Sequence, residues 1–399
     1  MTLVQPNTAA EAGGERKVHV PALDGLRGAA IVGVLLFHTG RLPGGFLGVD
    51  LFFALSGFLI THLLLREIRA TGTVSLVAFW GRRVRRLLPA LAAMLASVTV
   101  LVWAAGPPGM VRTTLADGPW VLANLVNWHL VAESAGYWDR FGTERVFEHL
   151  WSIAVEEQFY LVWPVVLLVV ARWARRPGRW VAAAAGLGSA ASLALMIALV
   201  DPADPTRVYT GTDTRAFSLL LGAVAATVPV RAAGRWAGGV LAVLVAGLGA
   251  MWVLADGTGS SWLFTGGLFA HSLASAVLIG LCVRAPQAAV ARALAWWPLQ
   301  WLGLVSYSLY LWHWPVIVLL SPERTGLSGW AWAALVSAVS VCLAAASKYL
   351  VEDPIRFRAG WARGRSGFLA FGALVAGLAV LWAALPAPAP PTIDITGLH

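Results

Sequence analysis

Charge is what this chain has least of. Only 12% of its 399 residues are Asp, Glu, Lys or Arg, against 58% apolar, and the mean hydropathy is +0.72. That balance excludes a soluble globular domain and points to a polytopic membrane protein in contact with a lipid bilayer. Cysteine is nearly as scarce. Cys282 and Cys342 are the only two and both lie in apolar segments, so neither a disulfide framework nor a metal cluster of the usual spacing is expected, and no metal is assigned. Residues 1–18 hold no apolar core ahead of Arg16 and Lys17, so no cleavable signal peptide is expected and the first span does the targeting. The halves show no internal repeat of the kind that marks many transporters. The net charge of +9 is not a nucleic-acid signature, because the basic residues sit in short clusters between apolar runs, as orientation signals do.

What is present is a succession of apolar runs of spanning length. Helices are predicted near 23–40, 47–65, 87–105, 149–171, 180–200, 215–230, 237–255, 262–283, 297–320, 328–350 and 367–385, an all-α bundle of about eleven spans. The stretch 119–131 is too short to cross and carries Asn124, Asn127 and His129, so it reads as re-entrant or interfacial. With the N-terminus inside and 119–131 not crossing, 22 of the 29 basic residues fall on the cytoplasmic side. If 119–131 crossed, the ARWARRPGRW cluster and every later basic loop would move outside against the rule. The non-crossing arrangement is therefore adopted, with the C-terminus outside. The expected domains are a cytoplasmic segment 1–20, a membrane domain 21–358, an additional transmembrane helix 359–385 and an extracytoplasmic tail 386–399.

The run Leu23 to Ile60, LDGLRGAAIVGVLLFHTGRLPGGFLGVDLFFALSGFLI, organises the rest. Arg27 and His38 are eleven residues apart, so in a helix they return to one face with about 16 Å of rise between them. Ionisable groups at membrane depth are costly and mark function by default, although a snorkelling Arg and an interfacial His would also fit. Asp50, Phe53 and Gly57 share a face of the next run, and Asp50 reads either as a site residue or as a helix N-cap. Four arginines crowd FWGRRVRRLLPAL, with Arg83 and Arg86 one turn apart just before a span. Guanidinium pairs suit phosphate or pyrophosphate through parallel hydrogen bonds, and anionic lipid headgroups are the alternative.

In EHLWSIAVEEQFYLVWP, His149, Ser152, Glu156 and Tyr160 form one polar stripe, widened by Glu157 and Gln158. Adjacent carboxylates in a membrane helix need a wet or paired site, or one of them stays protonated; a structural partnership with a buried Arg also fits. In WLGLVSYSLYLWHWPVIVLL, Ser306, Tyr310 and His313 repeat the pattern. In KYLVEDPIRFR, Pro354 is expected to stop the helix and Glu352 or Asp353 to pair with the inner arginines. On this topology Arg27, Arg83 and Arg86 form an anion-binding entrance inside. His38, Asp50, Glu156, Glu157 and His313 form a proton-transfer site deeper, with His38 as general base and a carboxylate such as Asp50 or Glu156 orienting or neutralising it. Ser152, Tyr160, Ser306 and Tyr310 are the candidate substrate contacts between them.

Six ordered motifs carry a resemblance: LDGLRGAAIVGVLLFH, GGFLGVDLFFALSGFLI, RRVRRLLPAL, HLWSIAVEEQFYLVWP, SYSLYLWHWP and EDPIR. Together, across about residues 23–357, they resemble the integral-membrane O-acyltransferases called acyltransferase-3, which modify envelope sugars and some antibiotic sugars. The resemblance implies a multi-pass cell-membrane enzyme taking an acyl group, acetyl in the first instance, from cytoplasmic acyl-CoA. The acceptor would be a hydroxyl of a carbohydrate or glycosylated small molecule on the outer side. It further implies the Arg-x10-His pair as Arg27 and His38, and the donor-binding pair as Arg83 and Arg86. Some members continue into an extracytoplasmic esterase-like domain; LPAPAPPTIDITGLH carries no hydrolase nucleophile motif, so none is expected in this tail. A proton-coupled transporter of a carbohydrate or lipid-linked intermediate is the alternative, since intramembrane His and Glu also serve proton relays. No nucleic-acid partner is expected.

Overall fold

The computed structural model describes residues 19–133, 138, 145–227, 236–257 and 259–389. Among them helices are the only regular elements. They run α1 Pro21–His38, α2 Gly48–Thr71, α3 Leu76–Ala105, α4 Pro108–Leu122, α5 Val126–Ala132, α6 Trp151–Trp173, α7 Pro177–Leu199 and α8 Thr206–Thr210. There follow α9 Thr212–Thr227, α10 Ala237–Leu254, α11 Gly267–Arg284, α12 Ala289–Leu294, α13 Trp297–Leu319, α14 Pro322–Thr325, α15 Gly329–Ala346 and α16 Gly364–Ala384. The boundaries follow local chemistry. Proline opens α1, α4, α7 and α13, where its missing N–H costs nothing. Gly72, at φ +77°, closes α2 in the left-handed conformation. The N-terminal residues 1–18, most of the acidic loop 132–148, Arg231, Arg235 and residues 390–399 lie outside the described residues.

Ten helical stretches among the described residues are long and apolar enough to cross a bilayer. The predicted span 215–230 is the exception, because α9 has 16 residues and carries Asp213 and Arg215. Packing nevertheless requires it in the count. α1 meets α13 start against start, Asp24 at Gly303, and end against end, His38 at His313, so the two run in the same direction. Counting only the ten would make α13 the eighth span and oppose it to α1; including α9 restores the observed direction. The segment 119–131 is split between α4 and α5 at Asn124, whose φ is +57°, and neither piece is long enough to span about 30 Å of hydrocarbon.

Two close approaches set the geometry. A Cβ on Gly28 would lie 2.0 Å from the Leu299 carbonyl oxygen, and one on Gly303 1.8 Å from that of Asp24, so α1 and α13 pack backbone to backbone. A Cβ on Gly57 would lie 1.8 Å from the Leu219 oxygen, and one on Gly222 2.0 Å from that of Ala54, which joins α2 to α9 in the same way. Without water to drive apolar association, such small-residue contacts are how membrane helices gain dispersion energy. The second contact buries an ion pair. Asp50 Oδ1 accepts from Arg215 Nη2 at 2.8 Å, Ser218 Oγ at 2.9 Å and Ser272 Oγ at 3.2 Å, tying α2, α9 and α11 together. Both charged side chains are fully buried, and the guanidinium lies 4.7 Å from the Tyr209 ring centroid.

The helix of α15 does not stop at Pro354. It continues through π-helical turns, Ser347–Glu352 and Pro354–Arg358, because proline is tolerated at the first position of a new turn. Glu352 pairs with Lys348 at 3.3 Å and Arg356 at 3.6 Å, and Asp353 with Lys348 at 2.7 Å. These acids answer cations of their own helix rather than Arg83 or Arg86, contrary to the expected pairing.

Two outcomes test this framework. In a chain freed of its native cysteines, Asp201→Cys should react with an impermeant thiol reagent added to intact cells and Gly178→Cys should not; the reverse pattern would refute the orientation. Arg215→Met should lower the thermal midpoint in detergent by the equivalent of about 3–5 kcal/mol, because it strands a buried carboxylate. Adding Asp50→Leu should restore part of that loss, and a double variant no more stable than the single one would refute the pairing.

Candidate active site

A cavity with about 620 Å³ of atom-free space, part of it continuous with solvent, opens between α1, α2, α3, α6 and α13. Arg27, Arg83 and Arg86 line one end, Glu156 and Tyr160 the middle, and Ser152, Ser306 and Tyr310 complete the wall. Three guanidiniums thus face one carboxylate. Arg27 has Asp24 3.9 Å away, and Arg83 lies over the Tyr160 and Phe79 rings at 5.1 and 5.6 Å. Neither Arg83 nor Arg86 forms an ion pair with a carboxylate of the described residues, although Glu157 acts on both electrostatically.

Glu156 is held by its neighbours. Its Oε1 accepts from Ser56 Oγ at 2.8 Å and its Oε2 from Tyr160 Oη at 3.3 Å. Pro164 holds α6 in place from the other side. Lacking an N–H, it leaves the Tyr160 carbonyl without a helical donor, and Trp80 Nε1 of α3 supplies one at 3.0 Å.

The far end of the cavity is closed by Ser152 and Tyr310, whose hydroxyls are 2.6 Å apart. Behind them lie three buried histidines. His38 Nδ1 is 3.2 Å from His313 Nε2, and the His313 ring is 5.3 Å from that of His149 and 5.1 Å from Tyr310. Trp314 packs on the other face of His38 at 4.9 Å, and its Nε1 donates to the Arg145 carbonyl at 2.9 Å. The partner of His38 is therefore another imidazole. Asp50 and Glu156, the carboxylates expected to orient it, are bound to Arg215 and to Ser56 and Tyr160 instead. Asp50 is thus part of the scaffold holding α2 to α9, and the expectation that it sits beside His38 is corrected.

Sequence reasoning passed over several residues that the structure brings forward. Arg215 stands alone at the start of an apolar run, and the signal was its sign, opposite to the equally isolated Asp50. His149 belonged to the recognised stripe but was not assigned a role. A cluster of Asp117, His129, Glu133 and Arg145 was not foreseen, although His129 was noted in the non-crossing segment, because its members sit on separate elements that meet only in the fold. Arg145 Nη1 is 2.8 Å from Asp117 Oδ1, its other amino group bonds Glu133, and His129 Nε2 is 3.2 Å from Asp117. Burial pushes the Asp117 carboxyl up to about 6 while Arg145 and His129 oppose that shift. The donor atoms of Asp117, His129 and Glu133 lie within 4.8 Å of one another, a spacing a cation would accept, but the guanidinium of Arg145 already supplies positive charge there.

Comparison with known proteins agrees with the site. A family profile described as an acyltransferase domain matches residues 20–349. The peptidoglycan O-acetyltransferase OatA of Listeria monocytogenes is 34% identical over 352 residues, covering 85% of this chain and 56% of the relative. A putative peptidoglycan O-acetyltransferase of Bacillus subtilis, YrhL, is 36% identical over 351 residues, covering 85% and 55%. The O-acetyltransferase OatA of Staphylococcus aureus is 33% identical over 378 residues, covering 89% and 59%. The chain therefore spans a little over half the length of these curated relatives. No solved structure matches it significantly. With the motifs of α1, α3, α6 and α13 converging on one cavity, and the profile matching across them, the chain belongs to the acyltransferase-3 family of multi-pass membrane acyltransferases.

Proposed function

We propose that this protein transfers an acetyl group from acetyl-CoA to a hydroxyl of a carbohydrate acceptor, with His38 as general base. The observation that carries the reading is the single cavity linking Arg27, Arg83 and Arg86 to the Ser152–Tyr310 pair against the histidines. Arg27 and His38 terminate the two ends of one helical stripe, with about 16 Å of rise between them. A pantetheine arm is of comparable length, about 15–20 Å from ordinary covalent geometry. Phosphates anchored at the arginines would therefore let the thioester reach the histidine end. An acceptor hydroxyl arriving there gives its proton to His38 as its oxygen bonds to the acetyl carbon; the carbon–sulfur bond breaks, and the CoA thiolate takes up the proton. The names of the relatives favour a peptidoglycan sugar as acceptor, with the cell envelope as the place of work. Membership in an acyltransferase family speaks against the transporter alternative.

Replacing Arg83 and Arg86 together by Ala should weaken acetyl-CoA binding about 100-fold or more, since each charge-assisted contact contributes about 1.5–3 kcal/mol. Calorimetry on purified protein checks this, and unchanged affinity would remove the arginines from the donor site. His38→Ala should insert normally and bind acetyl-CoA as the parent does, while transfer of radiolabelled acetyl to soluble peptidoglycan fragments falls by about 100-fold or more. Retention of more than about a tenth of parental turnover would exclude the general-base role.

A further inference from the structure

Resting on His38 as the base, the structure assigns His313 a positioning role: it dictates which nitrogen of His38 carries the proton, and the backbone of α13 dictates the same for His313. A carbonyl oxygen can only accept. His313 Nδ1 is 2.7 Å from the Tyr310 carbonyl oxygen, so Nδ1 carries a proton and, in the neutral ring, Nε2 is a bare acceptor. That Nε2 lies 3.2 Å from His38 Nδ1, a contact that is a hydrogen bond only when His38 is protonated on Nδ1. The lone pair of His38 is then on Nε2, the atom available to take a proton from a hydroxyl. After it does so, the Nδ1–H of the imidazolium still points at an acceptor. The arrangement follows the logic by which a third group orients a catalytic imidazole, with a second imidazole and a peptide carbonyl in place of a carboxylate.

The surroundings support this assignment. Asp50 Oδ1 and Glu156 are committed elsewhere, and among the described residues no carboxylate is hydrogen-bonded to His38. His149 cannot overrule it. Its Nε2 is 3.2 Å from the Leu311 carbonyl, the oxygen that Pro315 deprives of a helical donor. Its Nε2 is therefore the protonated nitrogen, and its Nδ1 is bare, with no hydrogen-bond partner among the described residues. His149 has no proton to offer His313 Nε2. The backbone of one turn of α13, Tyr310 and Leu311, thus sets the tautomers of His313 and His149, and through His313 acts on that of His38, whose ring also meets the Val34 carbonyl of its own helix.

The test compares parent, His313→Leu and His313→Gln, the last keeping an acceptor oxygen on a side chain of similar reach. Solid-state NMR of protein with 15N-labelled histidine in bilayers reads the tautomer, with His38→Ala identifying the signals of His38. The parent should show His38 protonated on Nδ1. In His313→Leu the proton should move to Nε2 and kcat for acetyl transfer from acetyl-CoA should fall by at least about tenfold, with acetyl-CoA affinity unchanged. His313→Gln should hold the Nδ1–H form and recover most of the lost kcat. His38 protonated on Nε2 in the parent, or an unchanged tautomer or kcat in His313→Leu, would overturn the inference. A fully active His38→Ala would instead overturn the base reading, and with it the catalytic half of this one, while the spectrum would still decide the tautomer on its own.

Discussion

A polar group inside a bilayer is tolerable only where something in the protein replaces water, and most of this structure follows from that constraint. Prolines within spans make the point from the backbone side. Pro164 and Pro315 each leave a carbonyl without its helical donor, and each carbonyl is met by a side chain from another helix, Trp80 in one case and His149 in the other. The irregularities that weaken a single helix become the points at which helices are tied to one another. Charged groups obey the same rule. Asp50 is accepted at zero exposure because Arg215, Ser218 and Ser272 converge on one of its oxygens.

The arginine end of the cavity departs from this rule. Arg27, Arg83 and Arg86 line the cavity with one carboxylate, Glu156, and burial of like charge is costly wherever it is not fully paired. At the other end nothing is charged by necessity. Three imidazoles, a tyrosine and a serine meet one another and three peptide carbonyls, with His149 Nδ1 left without a partner among the described residues.

How the ends come to face one cavity depends on glycine. Gly28 and Gly303 let α1 and α13 touch along their backbones, which sets His38 beside His313; Gly57 and Gly222 do the same for α2 and α9. At the outer rim, Arg145 reaches Asp117 and Glu133 with its guanidinium and Trp314 with its carbonyl. The packing of Trp314 on His38 therefore connects the base to a surface cluster about which the local sequence is silent.

Periodicity and charge placement in the sequence alone determined the membrane class, most of the spans and the segment 119–131 as too short to cross. These are one-dimensional properties: an apolar run of about 20 residues spans lipid whatever its neighbours, and i, i+3, i+7 spacing aligns side chains on any helix. The stripes of α6 and α13 were legible for the same reason, and Ser152, Glu156, Tyr160, Ser306 and Tyr310 do line the cavity. Partnership was decided only by the tertiary structure. The sequence leaves Asp50 and Glu156 open as companions of His38, yet Asp50 meets Arg215, 165 positions away. His38 meets His313, 275 positions away. No local pattern encodes which of several isolated polar residues will share a cavity, because that depends on how closely two backbones approach and on which carbonyls a proline has left open.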